Sequence, residues 1–139
     1  MTDWKSCLGN KTAKPVKSDK NMIASLIKTS ENKLLSEAKL EMSNITAVSK
    51  LSLAYDALRE LLEAIALKNG YKIYNHECYT AFLKEILKQS NKGDEFDDIR
   101  KVRNAVNYYG KDIRPEEAAK VIEHTRKLAA FVKSQLNRI

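Results

Sequence analysis

Apolar positions recur at three- and four-residue intervals over most of the chain, the repeat of a helix face turned towards a core. Asp19 is placed to cap a first helix that carries Ile23, Leu26, Ile27, Leu34, Leu35, Ala38 and Met42 on one side and ends near Asn44. A second helix opens at Thr46 and runs to about Lys68. Leu51, Tyr55, Leu58, Leu62 and Ile65 form its seam, and Asn69-Gly70 is its stop signal. Arg59, Glu60 and Glu63 fall between the seam positions and are expected to face water.

After a connector at 71–75, Asn75 can cap a third helix from His76 to about Lys88, with Tyr79, Phe82, Leu83, Ile86 and Leu87 inward. Gln89 to Glu95 reads as a polar loop, and Asp94 as the cap of a fourth helix carrying Phe96, Ile99, Val102, Val106 and Tyr109 on one face. Gly110 ends that helix. Pro115, followed by Glu116 and Glu117, opens a fifth whose inner face is Val121, Ile122, Thr125, Leu128, Ala129, Val132 and Leu136. No strand-like alternation competes. The pattern predicts an all-α, up-and-down bundle of about five helices over residues 19–139, preceded by an arm at 1–18 in which Trp4 and Leu8 can dock on the body.

Composition narrows this picture without redirecting it. A chain of 139 residues supports one domain with a real core. The net charge of +7 is spread along the chain and forms no dense basic stripe, so it permits weak phosphate attraction without requiring it. Cys7 and Cys78 are far apart with no CxxC spacing, which argues against a disulfide framework and against a zinc site. No apolar run reaches the roughly 18 residues of a membrane span. The expectation is a cytoplasmic protein with no metal and no cofactor.

The segment 96–110, FDDIRKVRNAVNYYG, carries the candidate chemistry. Arg103 lies at the edge of the apolar face, where it is either paired or held for a ligand. Asn104 and Asn107 flank it, and Tyr108 and Tyr109 follow. His76 is expected to be exposed or to help cap its helix, and His124 lies on the last helix beside Val121 and Leu128.

GYKIYNHECYTAFL at 70–83 and IRKVRNAVNYYGKDIRPEEA at 99–118, set among long helices, resemble the HEPN family of small all-α proteins. The resemblance covers roughly residues 19–137, and Arg103-Asn104 with Tyr108-Tyr109-Gly110 is its most specific part. It implies a homodimer with a cleft between protomers, metal-independent RNase activity in many members, and a nucleotidyltransferase-type partner in a toxin–antitoxin arrangement. The family motif is Arg, four residues, then His. Arg103 matches the arginine and Asn104 the polar residue after it, while Tyr108 stands where the histidine belongs.

A tyrosine with an unperturbed pKa of about 10 is a poor proton carrier near neutral pH, unlike a histidine of about 6.5. Residues five apart on a straight helix also point about 140° apart, so Arg103 and Tyr108 converge only if the helix loosens or a second protomer contributes. The resemblance therefore implies a non-catalytic or weakly active module that binds RNA or a nucleotide through Arg103, Asn104, Asn107 and Tyr109. The alternatives are an active RNase toxin using Arg103 with Tyr108, His76 or His124, and a helical dimerisation protein without a ligand.

Overall fold

A computed structural model of the chain describes residues 2–108 and 110–138, with the backbone alone at Tyr108. Among the described residues six helices form an all-α bundle: α1 Trp4–Gly9, α2 Lys20–Lys39, α3 Ala47–Lys68, α4 His76–Ala81, α5 Ser90–Tyr108 and α6 Pro115–Leu136. A single wider turn at Phe82–Ile86 continues α4 with i→i+5 bonding. The seam of α3 is buried throughout at Leu51, Tyr55, Leu58, Leu62 and Ile65, and this helix packs against both α2 and α6.

Helix ends follow local chemistry. The Asp19 carboxylate accepts from Met22 N–H at 3.1 Å, and Asn75 Oδ1 accepts from Glu77 N–H at 2.7 Å. Gly110 has φ +66°, the left-handed conformation that closes a helix, and Lys111 N–H reaches back to the Ala105 carbonyl at 3.1 Å. α5 begins at Ser90, four residues before the expected cap at Asp94. Gly93 is buried against the Thr80 carbonyl and the Lys84 side chain, and a Cβ there would meet them at 3.1 and 2.5 Å. The expected loop is thus a helical turn that packs because it carries no side chain at that point.

The buried stripe of α2 also differs from expectation. Leu35 is 61% exposed, and the helix instead buries Ser30 and Glu37. Glu37 is tolerated inside because Lys50 Nζ lies 2.8 Å and Arg126 Nε 2.9 Å from its carboxylate. Lys50 also donates to the carbonyls of Glu37 and Leu40, so its ammonium ends α2 at Lys39, short of Asn44. Glu60, expected in water, is buried and paired with Lys33 at 3.0 Å. Arg59 and Glu63 are half-buried and paired at 3.0 Å, with Lys72 on the far side of Glu63 at 2.8 Å.

The arm carries more structure than its composition suggests. Asp3 caps α1, and Trp4 packs edge-on to Tyr71 with ring centroids 5.1 Å apart. Strand β1, Ala13–Pro15, pairs antiparallel with β2, Tyr71–Ile73, inside the expected connector. Cys7 and Cys78 are joined by a disulfide, which corrects the reading that set them apart. Their spacing of 71 residues carries no local signal, because only the docking of α1 on α4 brings them together. Among the described residues no helix is long and apolar enough to cross a membrane.

Candidate functional site

Arg103, Asn104, Asn107 and His76 lie around the surface where α3, α4 and α5 meet. Arg103, half-buried on α5, lays its guanidinium over the Tyr55 ring of α3 with Cζ 4.9 Å from the centroid. Such a cation–π contact holds a guanidinium in place without neutralising it. Asn104 Oδ1 lies 3.4 Å from Arg103 Nη1, at the long end of a hydrogen bond. Asn107 is exposed one turn on, with its amide 3.5 Å from Ser52 Oγ of α3. The structure therefore places Arg103, Asn104 and Asn107 within one turn of α5, with Arg103 and Asn107 against α3. Tyr109 and the side chain of Tyr108 lie outside the described residues.

Beneath Arg103, the Tyr55 ring is fully buried and stacks on Phe96 at 6.0 Å. Its hydroxyl meets His76 Nδ1 at 2.8 Å. Burial pushes the Tyr55 phenol up to about 12, so it is protonated at neutral pH. Tyr79, on the other side of His76, is also pushed up by burial. His76 moves the other way. Burial first, then the charges of Arg59, Arg103 and Arg100, hold it below its ordinary value, while Asp56 opposes them.

Compared with known proteins, the chain matches no family model and no curated sequence.

His76 is the residue that sequence reasoning misplaced. The helix cap is Asn75, and His76 turns half-buried towards α3. One signal existed: Tyr55 falls on the buried seam, and a buried tyrosine needs a partner for its hydroxyl. His124 stays apart, on the rim of a separate groove of about 190 Å³ with Asp98, Ile99, Val102 and Val121. Arg100 is set on Asp97 at 2.7 Å, and Lys101 reaches the same carboxylate at 3.1 Å. Among the described residues, no group of three or more His, Cys, Asp or Glu side chains could hold a metal ion.

Proposed function

We propose that this chain is a HEPN-like module that binds RNA or a nucleotide through Arg103, Asn104 and Asn107 and cleaves it weakly or not at all. The observation that carries this reading is the Arg103 guanidinium seated on the Tyr55 ring, with two amides beside it on the α3–α5 surface. A guanidinium and neighbouring amides suit phosphate oxygens and base edges. The protonated phenols of Tyr55 and Tyr79 are poor proton acceptors near neutral pH. The homodimer and the nucleotidyltransferase-type partner rest on the resemblance at 70–83 and 99–118 and belong to the same proposal.

The test is fluorescence anisotropy with a labelled structured RNA in EDTA, with a gel run in parallel to detect cleavage. The intact protein is expected to bind, and Arg103→Ala to bind about tenfold more weakly with a salt dependence shallower by about one phosphate contact. Equal binding by both proteins removes Arg103 from the site. Cleavage by the intact protein and not by the variant makes the chain an RNase.

A further inference from the structure

The surface around His76 is more specific than a basic patch. We propose that Tyr55 locks His76 as the tautomer protonated on Nε2, so that His76 donates to a backbone phosphate of an RNA strand, and that Arg59 and Arg100 complete this second phosphate subsite beside Arg103. This inference rests on the reading of Arg103 given above and extends it to α4.

The tautomer follows from the hydroxyl. Tyr55 is fully buried and its Oη lies 2.8 Å from His76 Nδ1. A buried O–H must give its proton to an acceptor. The imidazole nitrogen is the acceptor in reach, so Nδ1 accepts and the ring hydrogen sits on Nε2. Burial first, then the charges of Arg59, Arg103 and Arg100, disfavour a cation on the His76 ring, with Asp56 opposing them. A neutral ring with Nδ1 occupied is a hydrogen-bond donor at its open edge and a poor base.

The surroundings suit a phosphate. Arg59 is oriented by Glu63, and Arg100 by Asp97. Lys72 on Glu63 and Lys101 on Asp97 bring the cationic side chains to five, among the carboxylates of Asp56, Glu60, Glu63, Glu77 and Asp97. A guanidinium carries five N–H donors, of which its carboxylate partner here occupies one or two. Ser52, opposite Asn107, and Arg59 lie two turns apart on one side of α3, a separation of about 10 Å. That length exceeds one phosphate group, which favours consecutive phosphates of a strand over a single nucleotide.

The experiment pairs a tautomer measurement with binding. Long-range proton–nitrogen NMR of the intact protein at neutral pH should show His76 neutral and protonated on Nε2, and a short oligouridylate should shift that nitrogen. An imidazolium or an Nδ1-protonated ring overturns the proposal without any variant. Against the same oligouridylate, His76→Ala should bind about tenfold more weakly with an unchanged salt slope, because a neutral donor is lost. Arg103→Ala should lower both affinity and slope. Tyr55→Phe, which keeps the buried ring, should release the tautomer and weaken binding about threefold.

Wild-type affinity in His76→Ala alongside a loss in Arg103→Ala overturns the His76 subsite and leaves the Arg103 reading standing. No effect from either variant overturns both. Strand cleavage that disappears in His76→Ala overturns the proposal by making His76 a proton carrier.

Discussion

Lys50→Met tests the least expected part of the interior. The Lys50 side chain is 7% exposed and its ammonium sits 2.8 Å from the carboxylate of Glu37, a side chain 5% exposed, and also donates to the Glu37 carbonyl at 2.6 Å and to the Leu40 carbonyl. Methionine follows the aliphatic path of the lysine stem, so packing is largely kept and the charge is removed. Glu37 then retains only Arg126, whose side chain is 36% exposed and whose attraction is partly screened by water. Breaking a buried pair costs about 3–5 kcal/mol. The orphaned carbonyls add to that cost, and partial hydration around Leu40 reduces it.

The expected loss is about 3 kcal/mol, or roughly 10 °C in Tm for a domain of this size. Urea unfolding followed by far-UV circular dichroism measures it directly. The double variant Glu37→Leu with Lys50→Met should recover much of the loss, because apolar groups of similar volume replace a buried pair at little cost. A single variant within about 1 kcal/mol of wild type, or a double variant less stable than the single, refutes the argument.

Two further outcomes follow from features outside that cluster. Replacing Cys7 and Cys78 by serine opens a loop of 71 residues and should cost about 2–4 kcal/mol in urea unfolding while leaving the helical content intact; an unchanged midpoint would show that the arm's other contacts suffice. His76 is held below its ordinary value, so its contribution to stability is complete above about pH 6.5 and is lost as pH falls through the depressed folded value. Thermal melts between about pH 5 and about pH 8 should therefore show an acid-side loss that His76→Gln reduces, and parallel profiles would contradict the depressed value.

What the sequence made legible was set by neighbours in the chain. α3 was expected to open at Thr46 and to run to about Lys68, and it spans Ala47–Lys68, because its seam is continuous and Asn69-Gly70 marks the end. Pro115 with Glu116 and Glu117 fixed the start of α6 equally well. The failures involve distant partners. Glu37 is inside because of Lys50 and Arg126, and Glu60 because of Lys33, none of which a helical period reveals. The same holds at the candidate site. Arg103 could be singled out on α5, but its platform comes from α3, and the imidazole under that platform comes from α4.

The bond between Cys7 and Cys78 has a mechanical consequence. It closes a covalent ring that contains α2 and α3 and leaves α5 and α6 outside. A pull applied at the two termini would bypass the ring, so tension would reach α5 and α6 and could not straighten α2 or α3 until the bond was reduced. The sheltered stretch spans 71 residues, about 250 Å of extended chain. Under load, the oxidised protein should therefore lengthen by that much less than the reduced one, with the α2–α3 pair still folded when its neighbours have come away.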